Sequence, residues 1–409
     1  MTVTSTTPAR VAPKFPWTGL IALASATFLS VTSEMIPTGL LPDMSASLGV
    51  SEAQIGLLVT VFAFTVVVTS TPLTALTRRW PRHGLLIGIL VVLGLSNALT
   101  AIAPSYEFVV GSRILGGVAH GMFWSIVGAY AGHLVPKEQI GRAVSITLGG
   151  GTLAFVLGVP LGTFAGHLFG WRLSFGILAA LMIVGAAVVW KLLPAVERDE
   201  DAAPRRRTAR RSEPRPRDRT IPAVIMVCLI AAVTMVGHYA FYTFVVPFLT
   251  GPMGIPAGDV GALLFFYGIA GAVGLVLAGS VLGPRPQLGL VLALLVTGVA
   301  VAALAVVAEQ PIPALIAFLL WGLAFGALPP LLQTRLLHTS SAGFRDTASA
   351  LYTTSFNIGI GGGALVGSLI FDAGGLMLLP WCYVALLAVS IVLVGVVGRM
   401  TRERASLPA

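Results

Sequence analysis

Long apolar runs separated by short polar breaks occupy the chain from about residue 16 to residue 398. Each run has about twenty residues or more, which an α-helix needs to cross roughly 30 Å of hydrocarbon. A transmembrane barrel strand needs only about 10 residues of alternating character, so continuous runs favour helices. The pattern predicts twelve membrane-spanning helices with the following bounds: 16–41, 54–77, 84–103, 108–133, 144–167, 173–194, 221–249, 260–282, 288–308, 314–334, 346–371 and 377–398.

Composition supports a lipid environment. Of 409 residues, 56% are hydrophobic and 10% are charged, and the mean hydropathy is +0.92. A water-soluble chain has about one quarter charged residues, so an ordinary soluble globular protein is excluded and the bilayer is the expected partner. The first apolar run follows Arg10 and Lys14, lacks a small-residue cleavage site and is too long for a signal peptide, so we expect it to be retained as span 1.

The net charge of +9 does not predict a nucleic-acid partner, because the basic residues lie in loops between the spans. With the N-terminus in the cytoplasm, 22 of the 25 Lys and Arg residues fall in cytoplasmic segments. Arg172 falls outside, and Arg113 and Lys191 fall within spans. This asymmetry follows the positive-inside rule and predicts that both termini are cytoplasmic.

One long polar connection divides the chain. Residues 195–220 contain nine Arg and six acidic residues without apolar periodicity, which is typical of a solvated linker. We therefore expect an N-terminal six-helix bundle at 1–194, a cytoplasmic Arg-rich linker at 195–220 and a C-terminal six-helix bundle at 221–409. The arginines at 205–211 could also bind nucleic acid or anionic lipid, but topology alone explains them.

The two halves resemble each other in sequence. At an offset of 205 residues, Pro42 matches Pro247 and Gly49 matches Gly254. The offset predicts a duplicated six-helix unit, and because six is even, both copies have the same orientation in the membrane. Such an architecture suits alternating access to a cavity between the halves.

Glycines at four-residue spacing line one face of span 5 and one face of span 11. Two such ladders are present: Gly158, Gly162 and Gly166, and Gly359, Gly363 and Gly367. Small residues in a row let a neighbouring helix approach closely, and the ladders could serve tight packing or a sliding surface. Pro160 lies within the first ladder and is expected to kink or loosen span 5.

Ionisable residues inside spans are costly, and here the clearest are Glu34, Arg113, His120 and His238. A buried carboxyl favours its neutral form, so Glu34 is a candidate proton carrier; it could also be a structural acid that is neutral or ion-paired. Arg113 must find a carboxylate, a carbonyl or water, and we interpret it as a charge partner in proton coupling.

Two histidines each have an aromatic residue one helical turn away. Trp124 follows His120, and Tyr242 follows His238, so each pair shares a helix face. Flat apolar faces with polar edges suit sugars or nucleosides, although core packing produces the same pattern. Asn357 in span 11 adds an amide that needs a partner. These five residues are the candidate substrate-binding residues.

Other functional classes find little support in the sequence. Cys228 and Cys382 lie apart in apolar runs, and the six histidines are scattered, so we expect no metal site, no cofactor and no enzyme. A channel needs a continuous polar pore, whereas each half carries only a few polar groups inside its spans.

At these residues the chain resembles the major facilitator superfamily, and within it the bacterial sugar efflux transporters of the drug and sugar efflux branch. Arg113 with the glycines after it resembles the arginine motif of span 4, and residues 157–162 resemble the antiporter motif of span 5 in a rearranged form. The subfamily resemblance lies in residues 119–126, in Gly237, His238 and Tyr239, and in residues 356–361.

The resemblance implies a transporter of the bacterial cytoplasmic membrane that exports small sugars or sugar-like molecules by proton antiport. Multidrug or nucleoside efflux is the alternative, and we expect a monomer that binds no nucleic acid. The sequence departs from the family in the loop between spans 2 and 3, where Thr77 replaces the usual acid. In relatives this acid provides a latch, and the present chain lacks the acid at that position.

Overall fold

The computed structural model describes residues 15–136, 139–194, 218, 220–282, 285–341 and 344–405. Twelve helices in this part of the chain are long and apolar enough to cross a membrane, which confirms the predicted number and class. They are α1 (Trp17–Gly39), α2 (Glu52–Leu76), α3 (Arg82–Ala101), α4 (Tyr106–His133), α5 (Arg142–Phe169), α6 (Trp171–Leu192), α7 (Ile221–Tyr242), α8 (Ala257–Leu282), α9 (Pro286–Val307), α10 (Pro311–Thr339), α11 (Thr347–Gly374) and α12 (Leu378–Gly398).

The predicted bounds differ from the observed helices most clearly at span 7. The apolar run 221–249 is broken, because α7 ends at Tyr242 and a separate short helix covers Val245–Thr250. The first run breaks in the same way, with a short helix at Leu41–Leu48 after α1. Pro42 and Pro247 lie in these short helices, and a proline cannot donate the amide hydrogen that a continuous helix would need.

Positive backbone φ angles reveal the internal repeat independently of packing. In the described residues they occur only at glycines: Gly49 (φ 66°), Gly254 (φ 62°), Gly170 (φ 89°) and Gly375 (φ 84°). Gly49 and Gly254 are 205 residues apart, and so are Gly170 and Gly375. The left-handed region costs little only for glycine, so the chain makes the same two turns at equivalent points of each half.

Packing follows the same twofold pattern. Within the N-terminal half α1 packs on α5, and within the C-terminal half α7 packs on α11, which are the equivalent helices six places later. The halves meet where α2 packs on α11 and where α5 packs on α8. The repeat relates α2 to α8 and α5 to α11, so each of these two interfaces is the equivalent of the other. This exchange is what a pseudo-twofold axis along the membrane normal requires.

The glycine ladders lie inside the halves. The ladder of α5 faces Thr32 and Ile36 of α1 and the following residue Leu40, and a Cβ at any of its three glycines would overlap one of these side chains. The ladder of α11 faces residues 232–240 of α7 in the same manner. Just before Pro160, the residues Ala154–Gly158 form a π-helical turn, a local departure from regular α-helix.

Most of the predicted linker, 195–220, lies outside the described residues, as do residues 1–14. At its end, Asp218 accepts hydrogen bonds from the amide and hydroxyl of Thr220, where α7 begins, and from the hydroxyl of Ser341, which follows α10. These bonds, the one from Ser341 first, hold the pKa of Asp218 below its ordinary value of 3.8.

The halves contact each other toward one end of the bundle. We call the end at Leu192 and Ile221 the linker end and the opposite one the far end. Contacts between the halves lie in the part nearer the far end: the Thr60 hydroxyl donates to the Gly361 carbonyl (3.0 Å), and Gly268 packs on the main chain of Phe155. Toward the linker end a cavity opens between the halves.

Candidate functional site

A cavity of about 450 Å³ lies between the two halves. Six of the sequence-predicted residues line it: Glu34, His120 and Trp124 from the N-terminal half, and His238, Tyr242 and Asn357 from the C-terminal half. Leu148, Gln333 and Thr353 line its linker-end side, and all three are exposed. The volume falls in the range of small-molecule sites, and the site is accessible from the linker end.

Glu34 lies on α1 beside a weak point in the helix. Pro37 has no amide hydrogen, so the carbonyl of Ser33 has no donor from the next turn. Arg113 of α4 fills this position: Nη1 donates to the Ser33 carbonyl (2.7 Å) and Nη2 donates to the Glu34 carbonyl (2.9 Å). The guanidinium thereby stabilises the interrupted turn that carries the Glu34 side chain into the cavity wall.

Arg113 itself does not line the cavity but lies behind it, 1% exposed. Its guanidinium carbon lies 4.1 Å from the ring centroid of Phe62, a cation–π contact in a region from which water is excluded. The sequence left a carboxylate, a carbonyl or water open as the partner of Arg113, and the structure shows two main-chain carbonyls. The arginine charge still interacts electrostatically with the Glu34 carboxylate.

His120 links Glu34 to Trp124. Its Nδ1 lies 2.8 Å from the Ser30 hydroxyl, its Nε2 accepts a hydrogen bond from the indole N–H of Trp124 (2.7 Å), and the same Nε2 lies 3.3 Å from Glu34 Oε2. The histidine is 1% exposed and Glu34 is 5% exposed, whereas Trp124 is only partly buried. A residue assigned by sequence to substrate binding therefore contacts the candidate proton carrier directly.

Aromatic rings form the opposite wall. The imidazole of His238 stacks on Phe325 (centroids 3.3 Å apart) and on Tyr242 (5.1 Å), and Trp321 meets its edge at 5.5 Å. Buried polar atoms without a hydrogen-bond partner in the described residues occur here, among them His238 Nδ1 and the Tyr267 hydroxyl. The wall therefore combines flat apolar faces with polar edges.

Asn357 lies on α11 at the cavity surface. Its amide Nδ2 donates to the Thr353 carbonyl one turn earlier, over 2.9 Å. This bond satisfies one donor of the amide and orients the group along its own helix. The glycine two positions later, Gly359, packs on Met235 of α7.

Several lining residues were missed by the sequence prediction, including Tyr239, Tyr267 and Phe325. The repeat could have identified them, because the offset of 205 relates Glu34 to Tyr239, Phe62 to Tyr267 and His120 to Phe325. Two of these pairs line the cavity from both halves, Glu34 with Tyr239 and His120 with Phe325, and in both the ionisable group is in the first copy and the aromatic group in the second.

Thr77, which stands where the family usually has an acid, is buried at the end of α2. Its hydroxyl donates to the carbonyl of Leu73 (2.7 Å) on the same helix. The side chain therefore bonds within its own helix end.

Comparison with known proteins agrees with this architecture. The family model for the Major Facilitator Superfamily matches residues 23–364 and 227–407. Among solved structures, a bacterial homolog of the human lysosomal transporter Spinster, inward-facing and occupied, has a TM-score of 0.76 at 18% identity, covering 98% of this chain and 100% of that one. Its unoccupied inward-facing form gives 0.78 at 17% identity, with the same coverage.

A D-xylose–proton symporter has a TM-score of 0.77 at 14% identity, covering 93% of this chain and 97% of that one. At such identities the structural matches establish the fold, and the family model, which matches most of the chain, establishes the membership. With its twelve apolar helices and the cavity between its halves, the chain belongs to the major facilitator superfamily and is a multi-pass membrane protein of secondary transport.

Proposed function

We propose that this protein exports small sugars or sugar-like molecules across the bacterial cytoplasmic membrane by proton antiport and alternating access. One observation carries the proposal: a single cavity has the buried Glu34–His120 pair on one wall and the aromatic, polar-edged group around His238 and Tyr242 on the other. A proton site and a substrate site in one cavity let the occupancy of one affect the other.

Glu34 is the proposed proton carrier. Its carboxylate is buried, and its Oε2 lies 3.3 Å from His120 Nε2, so a proton taken up here is held between the two side chains. A proton on Glu34 removes a negative charge near Arg113, which remains fixed to the carbonyls of α1. The altered charge balance lowers the cost of rocking the halves, and Arg113 acts as the fixed charge partner.

Substrate binds between Trp124 and His120 on one side and His238, Tyr242 and Asn357 on the other. Aromatic faces can cover the C–H faces of a sugar ring, while imidazole, phenol and amide edges can bond its hydroxyls. The likeness in fold to a D-xylose–proton symporter supports sugar and proton as partners for such a cavity, although that protein moves both in the same direction.

The cavity wall also favours a second candidate, export of lipophilic drugs or nucleosides. Many lining residues are apolar or aromatic, among them Met35, Phe155, Leu275, Phe325 and Phe356. Planar apolar ligands would find more contact area there than a small pentose would. The two candidates share the proton mechanism and differ in the cargo.

The test is transport by purified protein in proteoliposomes with an imposed pH gradient. Radiolabelled pentoses, thiogalactosides, nucleosides and cationic drugs are offered in turn, and the proposal expects uphill movement of a sugar that collapses when the gradient is dissipated. Glu34→Gln should retain downhill exchange and lose uphill transport, whereas the loop variant Glu309→Gln should behave as wild type. Uphill export by Glu34→Gln would show that another group carries the proton.

Orientation is tested separately. The proposal places the linker, both chain termini and the linker end of the cavity in the cytoplasm. A cysteine introduced at Arg205, in a background without Cys228 and Cys382, should react with an impermeant maleimide only after the membrane is opened. Labelling in intact cells would place the linker outside the cell, and the proposed direction of transport would then be wrong.

A further inference from the structure

One nitrogen atom in the cavity wall has two neighbours with opposite requirements. His120 Nε2 accepts the indole N–H of Trp124 at 2.7 Å, and Glu34 Oε2 lies 3.3 Å from it. A neutral imidazole has one N–H and one acceptor nitrogen. Because Nε2 is the acceptor here, Nδ1 carries the hydrogen and donates to the Ser30 hydroxyl, 2.8 Å away.

A proton added between Glu34 and His120 reverses this arrangement. If the proton is on Nε2, the ring donates a hydrogen bond to the Glu34 carboxylate. The lone pair of Nε2 then binds the proton and can no longer accept the Trp124 N–H. On Glu34, the new O–H donates to Nε2 and competes for the same lone pair. In both cases the Trp124 hydrogen bond and the proton exclude each other.

The other charged and titratable groups near the Glu34–His120 pair come from three helices. On the helix of His120, Arg113 is a donor that is bound to the carbonyls of Ser33 and Glu34. From α2, the Phe62 ring meets the imidazole edge-on at 5.2 Å. From α7, Tyr239 interacts electrostatically with Glu34, and His238 lines the same cavity.

We propose that Trp124 is the positioning residue through which the proton lowers substrate affinity. The indole is part of the cavity wall, partly buried and held by His120 while the Glu34–His120 site lacks its proton. In that state its ring is a fixed platform for substrate. Proton uptake releases the indole N–H, the platform loses its orientation, and substrate leaves. By reciprocity, bound substrate disfavours proton uptake, which is the competition that antiport needs.

This inference rests on the proposed function, so its first test needs no substrate. In protein labelled with [¹⁵N]tryptophan, the Trp124 indole resonance is identified by its loss in Trp124→Phe. Its proton shift should move upfield as pH falls from 8 to 5, since the hydrogen bond to Nε2 is lost, and should stay constant in His120→Gln. An indole resonance that does not respond to pH in wild type overturns the proposal, whether or not the protein transports sugars.

The second test measures affinity with the labelled probe that wild type transports best among a pentose, a thiogalactoside, a nucleoside and a cationic drug. Competition with a single proton weakens binding by up to about tenfold per pH unit. Trp124→Phe, which keeps an aromatic ring and lacks the N–H, should bind the probe with affinities that agree within about twofold between pH 6 and pH 8.

Trp190→Phe is the matched control, because Trp190 is exposed on the outer face of α6 and should leave the wild-type pH dependence intact. A Trp124→Phe protein that retains the full pH dependence would overturn the coupling role. The proposed function is tested separately, by the loss of uphill transport in Glu34→Gln. The coupling role of Trp124 and the proposed function can therefore fail independently.

Discussion

Arg113 donates from Nη1 to the main-chain carbonyl of Ser33 over 2.7 Å, and this carbonyl is the one that Pro37 deprives of its helical donor. An arginine buried in a membrane-spanning helix is usually explained by a carboxylate partner. Here the forked guanidinium instead completes the hydrogen bonding of an interrupted helix, next to the carboxylate that the helix carries.

This relationship predicts that Arg113→Lys is destabilising although it conserves charge. A single ammonium cannot bond both carbonyls in the fork geometry, and the loss of one charged hydrogen bond costs about 1.5–3 kcal/mol. The thermal midpoint of the purified protein should fall and transport should be impaired. Pro37→Ala restores an amide donor for the Ser33 carbonyl, so it should reduce the cost of Arg113→Lys by about 1 kcal/mol. Strict additivity of the two changes would contradict the coupling.

The glycine ladders give a second prediction, which separates packing from sliding. A Cβ at Gly363 would lie 2.6 Å from the Val236 carbonyl, whereas one at the adjacent Gly362 would meet Val236 at an ordinary 3.6 Å. Gly363→Ala should therefore cost about 1–3 kcal/mol of stability through overpacking, and Gly362→Ala should cost much less. Thermal unfolding in detergent measures both. Equal melting temperatures for the two variants would mean that α7 and α11 can separate at little cost.

Most of the fold was predictable because its signals are local. Membrane thickness fixes the length of each apolar run, and lipid excludes unpaired backbone, so twelve runs give twelve helices. The break between Tyr242 and Val245 was missed because hydropathy describes side chains and carries no information on backbone hydrogen bonds. Pro247 lies in an apolar stretch whose average hydropathy stays high despite the proline, yet it removes an amide donor.

The sequence predicted several residues that line the cavity, but it did not predict which of them contact each other. Helical spacing puts His120 and Trp124 on one face of α4. Their hydrogen bond to each other, and the contact of His120 with Glu34, depend on how α1 and α4 are rotated, which packing decides. Tyr239, Tyr267 and Phe325 were missed because aromatic residues in an apolar run look like core, although the repeat would have related Tyr239 to Glu34.

The contact at the start of α7 predicts a pH dependence of stability. Hydrogen bonds from Ser341 and Thr220 lower the pKa of Asp218 relative to its ordinary value of 3.8. A carboxyl with a lowered pKa stabilises the folded state above its unfolded value, and this contribution disappears as pH falls through the lower folded value. Asp218→Asn should therefore melt slightly below wild type at pH 7, and the difference should shrink as the pH falls below about 3.8.

The expected difference is small, because Asp218 lies at the surface, only partly buried, and surface charges contribute little. Asp372→Asn, at an exposed acid where α11 ends, is the control that changes the charge by the same amount. A difference between Asp218→Asn and wild type that does not shrink as the pH is lowered would mean that the asparagine perturbs the turn itself, independently of the carboxylate.

The interface between α5 and α8 gives a prediction about conformational state. A Cβ at Gly268 would lie 2.6 Å from the Phe155 carbonyl and 2.6 Å from the Val156 Cα, which are main-chain atoms of the other half. Backbone cannot rotate away as a side chain can, so Gly268→Ala should push the halves apart where they now meet. In alternating access, this favours the state in which the far end is open. Gly88→Ala, at a helical glycine with open space around it, is the control.

Spin labels at Glu107 and Glu309, which are exposed on different halves at the far end, measure this separation after Cys228 and Cys382 have been replaced. Gly268→Ala should increase the population of long distances between the labels, and Gly88→Ala should leave the wild-type distribution. A strain of about 1–3 kcal/mol, typical of one added methyl group, shifts a two-state equilibrium roughly five- to 150-fold. An unchanged distribution in a folded Gly268→Ala protein would mean that α5 and α8 stay in contact throughout the cycle, and the pivot would then lie at this interface.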